Sequence, residues 1–180
     1  FKRLLTQGFN CENTRINYLP SVTAIGHSSV HTGSVPAIHG IAGNDFVKDN
    51  APIYCTQDRS VTTVGAPNGK SGQMSPRNLL STTIADELRI ASNFRSKTIG
   101  VAIKDRASIL PAGHTTNGAY WLDDATGNFI TSSYYMQELP EWVKRFNERD
   151  RITALLKDDW HPLFPIDSYK ESSPDQNNYE

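Results

Sequence analysis

Runs of apolar residues in the second half of the chain predict β-structure. Residues 97–104 are nearly all apolar between two lysines, which is the pattern of a strand covered on both faces in a parallel sheet. Residues 119–122 and 128–131 flank an Asp-Asp-Ala-Thr-Gly sequence whose glycine suits a left-handed turn position. The pattern therefore predicts one core strand followed by a β-hairpin.

Apolar residues at helical spacing predict three helices. They recur along 77–91, behind Ser75 and Pro76, a pair that is typical of a helix start. A second such stretch, 141–157, is expected to pack as one continuous helix. Residues 1–8 resemble the end of a third helix that stops at glycine, and we expect its beginning to lie in polypeptide before the first residue.

Length and composition are those of one globular domain. Of the 180 residues, 37% are hydrophobic and 21% are charged. We expect an α/β domain over 1–160 and a proline-rich, then polar, tail or linker over 161–180. The formal net charge of −1 provides no basic surface for nucleic acid, and no apolar run is long enough to span a bilayer. Cys11 and Cys55 leave two possibilities open, one disulfide or two reduced thiols.

Residues 21–40 are poor helix formers arranged as the opening of a helix. The strand-like run 15–19 ends at Pro20, so the hydroxyl of Thr23 is expected to lie beside the unpaired backbone N–H groups of the next turn. Those donors and the positive end of the helix dipole favour an oxyanion. From these residues alone a plain N-cap role for Thr23 stays open, and it is the commoner role.

Four segments together carry a resemblance to a known family. They are 23–27, with the sequence Thr-Ala-Ile-Gly-His, and 32–44, 74–80 and 103–114. They are similar to the N-terminal part of the catalytic domain of the alkaline phosphatase superfamily, nearest the phosphate-irrepressible periplasmic enzymes and more distantly the nucleotide pyrophosphatases and type I phosphodiesterases. The resemblance implies a partial α/β core with a mainly parallel sheet flanked by helices, plus a β-hairpin. It also implies a periplasmic or secreted location.

The same resemblance implies roles for four residues. Thr23 corresponds to the nucleophile that accepts the phosphoryl group, and Asn44 to an amide donor to a non-bridging phosphate oxygen. Lys104 and Arg106 correspond to the pair that holds the remaining phosphate oxygens in the branch acting on monoesters. An Arg fork and an ammonium group suit a phosphate dianion. Asp105, between them, is expected to point away if the strand geometry continues.

The proposed nucleophile needs a metal ion. A threonine alcohol is about as weak an acid as water, so ionising it near neutral pH costs about 11 kcal/mol, against at most about 2 kcal/mol from a helix terminus. The resemblance implies two zinc ions, with Thr23 the one ligand from this chain and the Asp and His ligands before its first and after its last residue. His27 and His31 have the i, i+4 spacing of helical zinc ligands, but they lack the intervening Glu and match no ligand of the family.

These expectations combine into one predicted function with two alternatives. The prediction is hydrolysis of small-molecule phosphate monoesters through a phosphothreonine intermediate, with the isolated chain inactive. The first alternative is a phosphodiesterase or nucleotide pyrophosphatase, disfavoured because Lys104 and Arg106 add charge where a diester carries its second substituent. The second alternative is a non-catalytic anion-binding module without metal ligands.

Overall fold

The computed structural model describes residues 1–67 and 69–170, and these contain six strands and seven α-helices. The strands are β1 (Asp45–Lys48), β2 (Ala51–Tyr54), β3 (Thr63–Val64), β4 (Ile99–Ala102), β5 (Gly118–Asp123) and β6 (Asn128–Ser132). The α-helices are α1 (Lys2–Gln7), α2 (Thr23–Thr32), α3 (Pro36–His39), α4 (Ile84–Ala91), α5 (Asp105–Ala112), α6 (Glu141–Asn147) and α7 (Arg151–Leu155). Two short 3-10 turns, Pro76–Asn78 and Ile166–Ser168, complete the described elements.

The central sheet has the strand order β3-β6-β5-β4. Strands β4 and β5 run parallel, with Ile99 opposite Gly118, and α5 forms the crossover between them. Strands β5 and β6 form the predicted hairpin, and Gly127 in its turn has the left-handed φ of 69°. The α/β class is confirmed, and within the described residues the sheet is mixed, because the pairings of β6 with β3 and with β5 are antiparallel.

Strand β4 is correctly predicted but lies at the edge of the sheet. Its apolar residues Ile99 and Val101 are 52% and 56% exposed, so the expectation of a strand covered on both faces is wrong for the described part of the chain. The described residues leave the face that carries Ile99 and Val101 partly uncovered, and among them β4 also pairs with β5 alone. A continuous apolar run indicates that both faces of a strand are suited to burial. It does not indicate which other elements pack on those faces.

Helix α4 begins later than the sequence pattern predicts. Ser75 accepts a hydrogen bond from the Arg77 N–H, but this start produces only the 3-10 turn, because the backbone is extended at Leu79. The helix begins after Thr83, where the Thr83 and Asp86 side chains form a reciprocal capping box. Of the apolar residues whose helical spacing predicts one packing face, Leu79 is buried, but Leu80, Ile84 and Leu88 are exposed, so the face is wrong for most of its members.

The predicted helix over 141–157 is two helices. Asp150 takes a left-handed φ of 44°, and this residue separates α6 from α7. Val143 is buried, whereas Leu155 and Leu156 are exposed. The predicted tail is mostly exposed over 161–170, and its remainder, 171–180, lies outside the described residues.

Helix α5 joins the core on its two sides. Its Leu110 packs with Ala24, Ile41, Cys55 and Leu79 in one buried cluster. Its Ile109 packs with sheet residues in a second cluster, with Ala119, Trp121 and Ile130. Because α2 and α5 share the first cluster, burial of their apolar residues packs the start of α2 against the second half of α5.

The two cysteines are not bonded to each other, since Cys55 is buried and Cys11 is exposed, and both are free thiols. Burial, followed by the nearby Asp105 charge, raises the pKa of the Cys55 thiol to about 12. The described helices include none that combines the length and the apolar character needed to cross a membrane.

Candidate active site

Thr23 is the first residue of helix α2. The N-cap position is held by Val22, which has extended backbone and offers no capping side chain, so the plain N-cap role for Thr23 is wrong. Thr23 is exposed, and its hydroxyl makes no hydrogen bond to any group in the described part of the chain. A free alcohol therefore stands at the N-terminal, electropositive end of a ten-residue helix.

Asn44 is fixed beside Thr23 by both of its carbonyl groups. Its side-chain Oδ1 accepts a 2.9 Å hydrogen bond from the backbone N–H of Ala24, and its backbone oxygen accepts one of 2.8 Å from the N–H of Cys55. Gly43 precedes it where a Cβ would lie 2.7 Å from the carbonyl oxygen of Asp45, so the close turn requires glycine. With Oδ1 occupied, the Nδ2 amide of Asn44 is left to donate to another acceptor.

The strand geometry expected for residues 104–106 is wrong, because helix α5 begins at Asp105 and Lys104 is its N-cap. Successive residues of a helix diverge by about 100° rather than alternating. Lys104 consequently extends towards the β5–β6 turn, where its Nζ lies 2.9 Å from Asp124 Oδ2. Arg106 extends instead towards β2, where its Nη1 donates to the hydroxyl of Tyr54 at 2.9 Å.

Arg106 retains hydrogen-bonding capacity after this contact. Its Nε is buried and has no acceptor among the described residues. The hydrogen bond to Tyr54 raises the pKa of Arg106. Burial lowers the pKa of His27 in helix α2, and the charges of His31 and then Arg106 lower it further.

A group of residues that the sequence analysis did not assign surrounds Arg106. The Tyr54 hydroxyl donates to Asp105 Oδ1 at 3.0 Å, and the Thr56 hydroxyl donates to Asp105 Oδ2 in a short contact. Tyr54 and Thr56 lie about fifty positions before Arg106 in the sequence, and no local spacing predicts that they contact this region. The strand β2 that carries Tyr54 pairs with β1, whose first residue follows Asn44, so one hairpin contacts both proposed phosphate-binding regions.

The side chains of His31 and His39 have structural partners. His31 Nδ1 contacts the His27 carbonyl oxygen at 2.9 Å within α2. His39 is fully buried, and its Nδ1 accepts from the Ile41 N–H, so Nε2 carries the proton and donates to Ser29. Burial lowers the pKa of His39, in keeping with a neutral ring.

Residues 1–67 and 69–170 contain no group of three or more His, Cys, Asp or Glu residues that could hold a metal ion. A two-zinc centre therefore does not fit these residues by themselves. The Thr23 hydroxyl has no partner among the described residues and is open to a metal ion held by other residues.

Comparison with known proteins identifies the class to which this fold and site belong. The profile of the family described as Type I phosphodiesterase / nucleotide pyrophosphatase matches residues 1–176. The chain belongs to this family.

Particular members are similar over the full chain. A Myroides odoratus protein named calcium-transporting ATPase is 58% identical, and the alkaline phosphatase PhoV of Synechococcus elongatus is 55% identical, each over 100% of the chain. The alkaline phosphatase PafA of Elizabethkingia meningoseptica is 53% identical over 100% of the chain. The chain spans 33% of the length of each of these relatives.

Solved structures of PafA match the fold closely. The wild-type crystal structure superimposes with a TM-score of 0.92 at 53% identity, covering 99% of this chain and 35% of that one. A PafA variant matches with the same TM-score at 51% identity and the same coverage. In that variant one threonine is replaced by serine, and one asparagine, one lysine and one arginine are replaced by alanine.

Proposed function

We propose that the intact protein hydrolyses phosphate monoesters through a phosphothreonine intermediate on Thr23. The observation that carries this proposal is the free Thr23 hydroxyl at the N-terminus of α2. The Asn44 side chain is held beside it by the backbone N–H of the next residue, Ala24. In the first step the Thr23 oxygen forms a bond to phosphorus as the bond to the leaving alcohol breaks. In the second step water cleaves the phosphothreonine and releases inorganic phosphate.

In this proposal the remaining residues bind the phosphate. Asn44 Nδ2 donates to a non-bridging oxygen, and the guanidinium donors of Arg106 that Tyr54 does not use bind another. Lys104 is engaged with Asp124, but the two side chains are 49% and 69% exposed. Because an exposed ion pair contributes about 0–1 kcal/mol, Lys104 can exchange this carboxylate for a phosphate oxygen at little cost.

The substituted residues of the PafA variant support these assignments. Its threonine and asparagine are 21 positions apart, as are Thr23 and Asn44, and its lysine and arginine are two positions apart, as are Lys104 and Arg106. Identity falls by two percentage points between the wild-type and variant structures. Four identical positions that become different in the variant would account for about two percentage points in a chain of 180 residues.

The finer parts of the proposal rest on the family resemblance. The metal is proposed to be zinc, two ions held by Asp and His residues outside this chain together with Thr23. A metal ion on the hydroxyl would supply the fall in its pKa that the helix terminus cannot. The protein is proposed to act on small-molecule phosphate esters in the periplasm or outside the cell.

Phosphodiester hydrolysis is the second candidate, because the family's own description names phosphodiesterases and pyrophosphatases. The two candidates differ at the oxygens that Lys104 and Arg106 would hold. A monoester presents a dianion there, whereas a diester presents one charge fewer and an extra substituent. Monoester hydrolysis should therefore depend on the two cations far more than diester hydrolysis does.

The test measures kcat/KM of the intact, metal-loaded protein on one aryl phosphate monoester and one aryl phosphate diester. Thr23→Ala should abolish both activities. Lys104→Ala and Arg106→Ala should each lower monoester hydrolysis by about two to three orders of magnitude, with a much smaller effect on the diester. Chelation should remove activity and zinc should restore it. Unchanged turnover after Thr23→Ala would refute the proposed nucleophile, and a larger loss on the diester would favour the second candidate.

A further inference from the structure

The hydroxyl of Tyr54 bridges the guanidinium of Arg106 and the carboxylate of Asp105. It accepts from Arg106 Nη1 at 2.9 Å and donates to Asp105 Oδ1 at 3.0 Å. The second carboxylate oxygen, Oδ2, accepts from the Thr56 hydroxyl. Asp105 and Arg106 are consecutive in the first turn of α5, yet the structure places a neutral side chain between their charged ends.

This arrangement affects what Arg106 can bind. A direct pair between a guanidinium and a carboxylate is commonly bidentate and uses two of the N–H donors that phosphate would need. The Tyr54 hydroxyl occupies a single donor, Nη1, and Thr56 occupies the carboxylate oxygen that Tyr54 does not. The Nε of Arg106 is thereby left without an acceptor in the described part of the chain, although it is buried.

Only the protonated phenol can make both contacts, since it must donate to Asp105 while it accepts from Arg106. Burial, followed by the charge of Asp105, raises the pKa of Tyr54 well above its ordinary value. The hydroxyl therefore keeps its proton across the alkaline range in which a phosphatase of this class would work. Tyr54 also lies directly before Cys55, whose N–H holds the Asn44 carbonyl oxygen, so its backbone is anchored next to the site.

We propose that Tyr54 is a positioning residue for Arg106: its hydroxyl separates the guanidinium from Asp105 and keeps the guanidinium donors that it does not itself use available for a phosphate oxygen. This inference rests on the proposed function, in which Arg106 binds the transferred phosphoryl group. Without the hydroxyl, Arg106 is free to pair with Asp105 and loses its orientation. A hydrogen bond to a charged group of this kind corresponds to a loss of about ten- to a hundredfold in kcat/KM.

The test is a double-mutant cycle on the intact, metal-loaded protein. The variants are Tyr54→Phe, Arg106→Ala and the double variant, each assayed for kcat/KM on an aryl phosphate monoester and for inhibition by inorganic phosphate. Tyr134→Phe is the matched control. The Tyr134 hydroxyl also donates a hydrogen bond, to the His114 carbonyl oxygen, and it contacts none of Tyr54, Asp105 and Arg106 in the hydrogen bonds described above. Thermal unfolding of every variant reports structural damage.

We expect Tyr54→Phe to lower kcat/KM about ten- to a hundredfold and to weaken phosphate inhibition, and to have no further effect once Arg106 is alanine. Tyr134→Phe should leave both values unchanged. An equal loss in the two backgrounds would overturn the positioning role, and so would a wild-type value for Tyr54→Phe. If Arg106→Ala or Thr23→Ala kept full monoester turnover, the proposed function itself would fail, which is a result distinct from failure of the cycle.

Discussion

Asn44 provides a test that separates holding the helix from holding the phosphate. Its Oδ1 accepts from the Ala24 N–H, one of the donors at the start of α2 that have no partner within the helix. In effect Asn44 caps α2 from another loop, because Val22 at the N-cap has no side chain that can do so. Its Nδ2 is the atom that the proposed function assigns to phosphate. Two substitutions at this position remove these two atoms in different combinations.

Asn44→Asp keeps the acceptor and removes the donor, whereas Asn44→Ala removes both. Loss of a cap costs about 0.5–2 kcal/mol, so the alanine variant should lose that much free energy of unfolding. A carboxylate at a helix N-terminus contributes about 0.3–1 kcal/mol, so the aspartate variant should be at least as stable as the wild type. Activity should not follow this order. Each variant lacks a donor to the developing charge, which costs about 2.7–4 kcal/mol, or two to three orders of magnitude in kcat.

The assay combines urea unfolding with monoester kinetics on the intact protein. Asn50→Asp is the control, because it adds the same charge in the exposed β1–β2 turn, at a left-handed φ of 60° that aspartate tolerates. It should change neither stability nor activity measurably. The reasoning is refuted if Asn44→Asp is as unstable as Asn44→Ala, or if it retains wild-type turnover.

Two further predictions concern stability and thiol chemistry. Asp86→Ala should lower the free energy of unfolding by about 2–5 kcal/mol, because it leaves the buried backbone N–H of Thr83 and the partly buried N–H of Thr115 without their acceptor. Exposed Glu87→Ala in the same helix should cost less than about 1 kcal/mol. Burial opposes ionisation of Asp86, but these hydrogen bonds outweigh it and hold the pKa of Asp86 below its ordinary value. The stability that Asp86 contributes is therefore complete above about pH 4 and is lost as the pH falls through the lowered pKa. Equal acid sensitivity of the wild type and Asp86→Ala in urea unfolding would contradict this. An alkylating reagent at pH 8 should modify exposed Cys11 and spare buried Cys55 until the protein is unfolded, as measured by peptide mass spectrometry, and rapid native labelling of both would refute the burial argument.

Local signals predicted the elements whose ends are determined by nearby residues. The β5–β6 hairpin follows from the turn glycine at 127, and the strand at 99–102 from its apolar run. The start of α4 was predicted from Ser75 and Pro76, although the capping pair Thr83 and Asp86, with its Thr-x-x-Asp spacing, was also readable in the sequence. The sequence thus contains two possible starts for this helix. The helix begins at the Thr83–Asp86 pair, which forms two reciprocal hydrogen bonds.

The candidate site was predictable only in part. The resemblance supplied Thr23, Asn44, Lys104 and Arg106, and their roles remain predictions. The change from strand to helix at Asp105 was missed, and with it the divergence of the Lys104 and Arg106 side chains. The contacts of Tyr54 with Asp105 and Arg106 depend on how the β1–β2 hairpin packs against α5, and no pattern within a single segment encodes such long-range contacts.

Among the described residues, strand β4 has a neighbouring strand on one side only, and this has a consequence for the handling of the polypeptide. A half-exposed strand such as this one, with Ile99 and Val101 facing solvent, is a template on which another extended chain can add. Exposed lysines stand at both ends, at 97 and 104, and repulsion between like charges on stacked copies opposes such growth. Lys104 would then act as a gatekeeper against aggregation, a duty separate from any that it has in chemistry.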